Sequence, residues 1–328
     1  MNRFFLVLSF LILACEAPKP PPVEVIETKT GWKRQKSGVD TSLGGIFFLN
    51  DKIGWSSGNR GVVLHTENGG KHWSRQETPT DRLLVAIHFV DATTGWAVGD
   101  KGVIIQTTDG GKTWVLQTSG QKKDLTHLFF IDSKQGFVTG AKGTFLVTKD
   151  GGQHWETMTL GSNEILTSAF FITSDIGWLT SDGGAVFYTE DGGRHFVRQK
   201  TGTQRDLHRL FFVNAKTGWA VGTYGTIIAT KDGGANWTAQ PAGVPIFFAG
   251  VFFLNDQVGW VVGAAGTVLH TKDGGIHWVQ QPSGTIEFLI NAFFIGPHTG
   301  WIVGTKGTLL HTRTGGVPSE TEGRTDKK

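Results

Sequence analysis

Short apolar runs separated by turn residues predict β-strands along most of the chain. Residues 210–243 show the pattern, because the runs LFFV, WAV, TIIAT and NWTAQ alternate with segments rich in Gly, Asn and Asp. Runs of this length between such turns are typical of strands, and no window of ten or more residues has the apolar period of a helix. We therefore interpret this unit as a four-stranded antiparallel sheet.

The unit repeats every 41 residues without insertion. All twelve tryptophans fall on two phases of this period, and both interruptions are phenylalanine. The first series is Trp55, Trp96, Phe137, Trp178, Trp219, Trp260 and Trp301, the second is Trp32, Trp73, Trp114, Trp155, Phe196, Trp237 and Trp278, and an uninterrupted third is Phe48, Phe89, Phe130, Phe171, Phe212, Phe253 and Phe294. Four-stranded units of this length are typical of propeller blades. The sequence thus predicts an all-β fold, a seven-bladed β-propeller with four-stranded antiparallel blades of 41 residues.

The two ends of the repeat indicate how the ring closes. The seventh unit stops at Gly315 and Gly316, where every other unit continues into an aromatic strand. Residues 30–35 read TGWKRQ and resemble residues 71–76, KHWSRQ, with Trp32 one period before Trp73. We expect the N-terminal strand to be the outer strand of the last blade, so that the propeller occupies residues 30–316.

The N-terminus has the layout of a lipoprotein signal peptide over residues 1–14. Its apolar run is too short to span a bilayer and ends at the sequence ILAC, which resembles a lipobox. Cys15 is the only cysteine, so we expect it to carry the lipid; cleavage elsewhere would instead leave it inside the removed peptide. An exported, membrane-anchored lipoprotein is expected, on the periplasmic side of the inner or outer membrane or at the cell surface. Residues 15–29 are predicted to be a Pro-rich linker, and residues 317–328 a disordered polar tail.

Composition narrows the classes of partner. The net charge of +3 is too small to suggest nucleic-acid binding, and the unbroken repeat favours one domain and a monomer. Four histidines occupy equivalent positions in different blades, where symmetry holds them apart, so no metal or other cofactor is expected. They are His72, His154, His195 and His277.

Most blades contain the turn sequence Thr-x-Asp-Gly-Gly-x-x-Trp, an Asp-box, as in residues 107–114, TTDGGKTW. In such a turn the carboxylate accepts backbone N–H groups, the glycines supply positive φ angles and the Trp covers the loop. Asn68 and Thr314 replace the aspartate in two blades, which a turn tolerates and a catalytic acid would not. We therefore expect a structural role for five aspartates, Asp109, Asp150, Asp191, Asp232 and Asp273.

The combined unit F-x-[DN]-x-x-x-G-W-x-V-G followed by an Asp-box resembles the photosystem II stability/assembly factor family over about residues 30–316. The resemblance implies a seven-bladed propeller, lumenal or periplasmic and often lipid-anchored in bacteria. It also implies a non-enzymatic assembly chaperone for a membrane protein of the reaction centre. The expected partner is a membrane protein or its assembly intermediate, belonging to photosystem II if the host is phototrophic.

One face of the propeller carries the loops that vary between blades, and these loops give the first candidate site. Most are polar, but those of the later blades hold an apolar set consisting of Tyr224, Ile246, Phe247 and Phe288. An exposed patch of this kind would suit a protein partner. The alternative is that these side chains fold back over the tops of the blades.

The second candidate site is basic. Four of the eleven arginines lie within sixteen residues and could form one continuous surface for carboxylates of a partner, similar in kind to the arginine-rich surface of the family. They are Arg194, Arg198, Arg205 and Arg209. An ordinary solvated strand face is the alternative.

A glycan-binding or sialidase-like glycoside hydrolase propeller is the alternative function, because Asp-boxes also occur in those proteins. A sialidase needs converging arginines and a tyrosine nucleophile with its glutamate. Tyr188 precedes an Asp-box, and Tyr224 has no evident glutamate partner in the sequence. No catalytic residue is assigned, and the chain is not expected to be an enzyme.

Overall fold

The computed structural model describes residues 30–161 and 163–318, which form seven four-stranded antiparallel sheets. Each inner strand contacts the inner strands of both neighbouring blades, and the inner strand of the first blade contacts that of the seventh, so the sheets close into a ring around a central channel. The predicted all-β seven-bladed propeller is confirmed. Residues 1–29, with the predicted signal peptide, the linker and Cys15, and residues 319–328 of the predicted tail lie outside the described residues.

The strands occupy the same four radial positions in every blade. The inner strands are β2 (Leu43–Phe48), β6 (Leu84–Phe89), β10 (Leu125–Phe130), β14 (Leu166–Phe171), β18 (Leu207–Phe212), β22 (Phe248–Phe253) and β26 (Leu289–Phe294). The second strands are β3 (Gly54–Gly58), β7 (Gly95–Gly99), β11 (Gly136–Gly140), β15 (Gly177–Ser181), β19 (Gly218–Gly222), β23 (Gly259–Gly263) and β27 (Gly300–Gly304). The third strands are β4 (Val63–Thr66), β8 (Ile104–Thr107), β12 (Thr144–Thr148), β16 (Val186–Thr189), β20 (Ile227–Thr230), β24 (Val268–Thr271) and β28 (Leu309–Gly316). The outer strands are β5 (Ser74–Gln76), β9 (Val115–Gln117), β13 (Glu156–Thr159), β17 (Val197–Gln199), β21 (Thr238–Ala239), β25 (Val279–Gln281) and β1 (Gly31–Arg34). Single 3-10 turns occupy Asp100–Gly102, Asp182–Gly184, Thr223–Gly225 and Ala264–Gly266.

The N-terminal strand closes the ring, as predicted. β1 pairs antiparallel with β28 of blade seven, from Gly31 opposite Gly316 to Arg34 opposite Leu310. The Trp32 side chain is 3% exposed and packs edge-on against Phe294, with 6.0 Å between the ring centroids. Blade seven is therefore built from both ends of the propeller.

Aromatic stacking and hydrogen bonds join each blade to the next. Trp55 stacks on Phe89 of blade two, with 3.7 Å between the ring centroids, and donates its indole N–H to the Gly110 carbonyl at 3.2 Å. The Gln76 amide donates to the same carbonyl at 2.9 Å and accepts the indole N–H of Trp114 at 3.2 Å. Blade one thus holds the Asp-box turn of blade two, and this explains why the Trp series repeats with the blade.

Both departures from Trp meet at one blade interface, between blades three and four. Phe137 stacks on Phe171 with 3.6 Å between the ring centroids, but it has no N–H to donate to the neighbouring turn. Met158 takes the place of the bridging glutamine, and Phe145 packs edge-on against Phe196 at 5.3 Å. An apolar interface therefore replaces the hydrogen-bonded one.

A collar of seven aromatic side chains narrows the central channel. These are the fifth residues of the inner strands, and adjacent ring centroids lie 4.9 to 5.4 Å apart around the whole ring. The collar is made of Phe47, His88, Phe129, Phe170, Phe211, Phe252 and Phe293. Burial lowers the pKa of His88 from 6.5 to about 4, so the collar is uncharged at neutral pH.

Replacing His88 by phenylalanine should reduce the acid sensitivity of the fold. Because the pKa of His88 falls on folding, the unfolded chain takes up a proton first as the pH drops. Burial of neutral His88 therefore carries no penalty for ionisation above about pH 6.5, and the fold loses stability as the pH falls from there towards 4. We expect the free energy of unfolding of His88→Phe, taken relative to that of wild type, to be roughly 1–2 kcal/mol higher at pH 5 than at pH 8. Thermal unfolding at the two pH values measures this difference. The exposed His72 provides the control variant, His72→Phe, and an equal gain at both pH values would contradict the account.

Candidate functional site: the variable face

The Asp-box turns form one face of the ring, and their aspartates bond within the turn. Asp109 Oδ1 accepts the Thr107 hydroxyl at 2.8 Å and the Thr113 backbone N–H at 2.9 Å. Corresponding bonds are made by Asp150, Asp191, Asp232 and Asp273. The backbone N–H of His154 holds the pKa of Asp150 at about 2, so this carboxylate is a permanent acceptor. Asn68 Oδ1 accepts the His72 N–H at 2.8 Å and provides the same contact without a charge.

The opposite face is formed by two sets of loops, and we name it the variable face. One set joins the second and third strands of a blade, and the other leads from an outer strand into the next inner strand. Backbone hydrogen bonds join the two sets, as from the Gly61 N–H to the Arg82 carbonyl at 2.7 Å and from the Gly266 N–H to the Glu287 carbonyl at 2.9 Å. The loops are therefore held together as one surface.

A ring of backbone outliers lies on this face. Every non-glycine residue with positive φ in the described chain occupies the same turn position, with φ between 51° and 58°. The six residues, which we call the crown, are Arg60, Lys101, Lys142, Tyr224, Ala265 and Lys306. Glycine suits this conformation best, and blade four has Gly183 there. A left-handed non-glycine residue costs about 1–2 kcal/mol, and such strain is concentrated at functional sites. The crown's four cations and one tyrosine therefore mark the variable face as the candidate site.

A basic groove of about 540 Å³ lies on the variable face where the ring closes. Its lining includes four exposed cations, Arg34, Lys36, Arg60 and Arg75, and one carboxylate, Asp40. The sequence did not reveal this groove because its four cations lie apart, between residues 34 and 75, and belong to two blades. The sequence did contain one indication of this groove. Arg34 and Arg75 are one repeat apart, which places them at equivalent positions on the outer strands of neighbouring blades.

The structure does not bring the four predicted arginines together, so the expectation of one continuous basic surface is wrong. Arg194 lies in an Asp-box turn on the opposite face, and Arg198 on β17 pairs with Glu164 at 2.8 Å. Arg205 lies in a variable-face loop, whereas Arg209 is on the inner strand β18. The four arginines are separated because the chain runs along an outer strand to the variable face, crosses that face in a loop and returns along the next inner strand. A binding role for any of the four stays a prediction.

The predicted apolar loops are divided between exposed and folded-back side chains. Tyr224 is 68% exposed, and Arg205 donates to its carbonyl at 3.0 Å with the guanidinium 5.6 Å from the ring centroid. Phe247 and Phe288 are partly buried and pack edge to face at 5.3 Å, and Phe247 also stacks on His208 at 4.1 Å. Ile246 is partly buried beside them. The exposed apolar surface is therefore smaller than predicted, and Ile286, 85% exposed, extends it in the loop that precedes Phe288.

Residues 30–161 and 163–318 contain no group of three or more His, Cys, Asp or Glu side chains that could hold a metal ion. The same residues include no helix that is long and apolar enough to cross a membrane.

Comparison with known proteins relates this architecture to one family. The model of the photosynthesis system II assembly factor YCF48 family matches residues 24–115, 73–196 and 198–285. A solved structure described as YCF48 bound to D1 peptide is 21% identical with a TM-score of 0.75, over 91% of this chain and 100% of that one. YCF48 from Cyanidioschyzon merolae is 20% identical with a TM-score of 0.73, over 86% of this chain and 98% of that one.

More distant propellers share only the fold. A GH74 xyloglucanase from Xanthomonas campestris is 12% identical with a TM-score of 0.72, over 87% of this chain and 53% of that one. No curated protein sequence matches the chain. Because the family model matches well over half of the residues, this chain belongs to the photosynthesis system II assembly factor YCF48 family.

Proposed function

We propose that this chain is a non-enzymatic propeller that binds a segment of a membrane protein through its variable face during assembly. The observation that carries the proposal is the crown, in which four cations and one tyrosine occupy strained backbone positions on a single face. Backbone strain of this kind is concentrated at binding sites and other functional regions. The neighbouring basic groove and the exposed Tyr224 extend the same surface.

The chemistry of this face favours a peptide that carries carboxylates and an apolar or aromatic side chain. Exposed cations attract acidic groups and accelerate association, while Tyr224 offers a flat ring at small entropic cost. The YCF48 structure that is described as bound to D1 peptide supports a membrane-protein segment as the ligand. Photosystem II would be the complex served if the host is phototrophic.

A glycoside hydrolase function has weaker support. Hydrolysis by the usual mechanism requires two carboxyl groups on either side of the scissile bond. The basic groove has a single carboxylate in its lining, Asp40, among four cations. A surface of this charge fits an acidic polypeptide better than a neutral glycan.

Affinity capture from host membranes tests the proposed function. The purified chain is immobilised and incubated with detergent-solubilised membranes, and the retained polypeptides are identified by mass spectrometry. We expect one membrane polypeptide to be enriched and to be eluted by salt, since exposed charges are screened. Release of sugar from xyloglucan by the chain, with no polypeptide retained, would contradict the proposal.

We further propose that the protein is an exported monomer anchored through a lipid on Cys15. The support is the sequence of residues 12–15, ILAC, and the absence of any other thiol in the chain. A double acyl anchor holds a protein at a membrane, whereas one short chain does not.

Cys15→Ser should move the protein from the membrane fraction to the soluble fraction, because the acylated thiol is lost. Fractionation of cells that express each form, followed by immunoblotting, measures the change. Ser9→Ala, within the same predicted signal peptide, is the control and should remain membrane-bound. A Cys15→Ser protein that stays in the membrane at wild-type levels would exclude this anchor.

A further inference from the structure

An arginine on an inner strand has no salt-bridge partner in the part of the chain that the structure describes. The third residues of the inner strands are Gly45, Ala86, His127, Ser168, Arg209, Gly250 and Asn291. The inner strands run from the variable face towards the aromatic collar, so this level lies between that face and the collar. Three of the seven residues carry long polar side chains, and these come from blades three, five and seven.

Arg209 is half-buried and forms no ion pair among the described residues. Its Nε atom is buried and has no hydrogen-bond partner, and none of the salt bridges among the described residues includes it. Burial alone lowers the pKa of Arg209 to about 10, so the side chain keeps its charge at neutral pH. The positive charge of Arg209 also helps to lower the pKa of His127, two blades away. Partial removal of a charge from water without a counter-charge is unfavourable, so an anion beside Arg209 would be stabilised.

Each of the two neighbouring polar side chains has a free N–H that a ligand could accept. His127 Nδ1 accepts the backbone N–H of Ala169 at 3.2 Å, and burial keeps the pKa of its ring well below the usual value. The neutral ring must therefore carry its proton on Nε2. Asn291 Oδ1 accepts the N–H of Ala292 at 3.0 Å, which leaves the amide NH2 as a donor. Three inner strands thus carry a guanidinium, an imidazole N–H and an amide N–H at the same strand position.

We propose that the channel binds one carboxylate at Arg209, with His127 and Asn291 as further donors. The planar fork of a guanidinium matches the two oxygens of a carboxylate, and the aromatic collar beyond it provides an apolar surface for a short hydrocarbon part. The ligand is a free small acid or the carboxylate at the end of a chain. This site is separate from the crown, so it does not depend on the proposed function.

Titration of the purified chain with acetate tests the site, with calorimetry and thermal unfolding as measurements. We expect saturable binding of one equivalent and a rising melting temperature. Arg209→Met should lose both effects and, without acetate, should melt at or above the wild-type temperature, because an apolar side chain replaces an uncompensated charge. Arg205→Met, which removes a guanidinium from the variable face only, is the matched control and should bind acetate as wild type does.

The source of the carboxylate is distinguished with a short apolar peptide in two forms. Tighter binding of the peptide acid than of acetate, with no binding of the peptide amide, would assign the site to a chain end. Equal binding of peptide acid and acetate would assign it to a free acid. The proposal is overturned if neither the peptide acid nor acetate affects the wild type, or if both affect Arg209→Met equally.

A second measurement covers the case in which Arg209→Met does not fold. Nitrogen NMR of the wild type follows Arg209 Nε and the ring nitrogens of His127 during the acetate titration. Saturable shifts of both signals support the site, and unchanged signals at saturating acetate overturn it.

Discussion

Trp32→Ala is expected to lower the free energy of unfolding by about 3–5 kcal/mol, the usual cost of truncating a buried tryptophan. The Trp32 side chain is 3% exposed, packs on Phe294 and donates its indole N–H to Gln281 at 3.4 Å. Its loss leaves a cavity in the blade that joins the two ends of the ring. Deletion of residues 30–36 should cost more, because it also removes the strand partner of β28. Chemical denaturation monitored by tryptophan fluorescence and circular dichroism measures both losses.

Trp32→Phe is the graded control for this prediction. Blade four has Phe196 at the equivalent position, so an aromatic ring without an N–H fits a blade of this kind. We expect a loss smaller than that of Trp32→Ala. If the deletion of residues 30–36 unfolds at the wild-type denaturant concentration, the ring closes in some other way.

Replacing the four crown cations by glycine should weaken partner binding at least about fivefold without destabilising the fold. Each exposed charge contributes a few tenths of a kcal/mol to about 1 kcal/mol, so four together are worth roughly 1–3 kcal/mol of binding. Stability should be unchanged or higher, because glycine adopts the left-handed backbone that Gly183 already shows in blade four. The variant combines Arg60→Gly, Lys101→Gly, Lys142→Gly and Lys306→Gly. Surface plasmon resonance with the captured membrane polypeptide, at low and at physiological salt, measures the loss.

Two control variants separate the charge of the crown from its backbone and from the total charge. Glutamine at the same four positions removes the charges but keeps the strain, so it should weaken binding without any gain in stability. Removing four exposed lysines from the Asp-box face by Lys71→Gln, Lys149→Gln, Lys231→Gln and Lys272→Gln changes the net charge equally. If this second variant loses as much binding as the crown variant, the effect comes from total charge and not from the variable face.

The fold could be predicted because its determinants recur with the blade. Each aromatic residue of a second strand stacks on a Phe of the next blade, so both series recur once per blade. Their spacing therefore gives the period and the number of blades, and the phase of Trp32 places the N-terminal strand in the last blade. The structural reason for Phe137 and Phe196 was not visible, because it depends on Met158 and Phe145 meeting them across one interface. Only the folded ring shows that these changes belong together.

The site was harder to predict because neighbours in sequence lie at different heights and radii in a blade. Sixteen residues carry the chain from the Asp-box face at Arg194 to the channel wall at Arg209, which separated the predicted basic cluster. The crown did have a signal, since its residues precede a glycine at intervals of the repeat. A lysine or arginine at this position does not indicate a positive φ, because these residues rarely adopt the left-handed backbone conformation.

Site-specific photo-crosslinking in membranes of the host tests whether the variable face binds the membrane partner. A photoreactive amino acid replaces Tyr224 on the variable face or, as the control, Ile276 in an Asp-box turn on the opposite face; the two side chains are 68% and 60% exposed. We expect a crosslink from position 224 to a membrane polypeptide and none from position 276. A membrane polypeptide crosslinked from position 276 and not from position 224 would contradict this expectation.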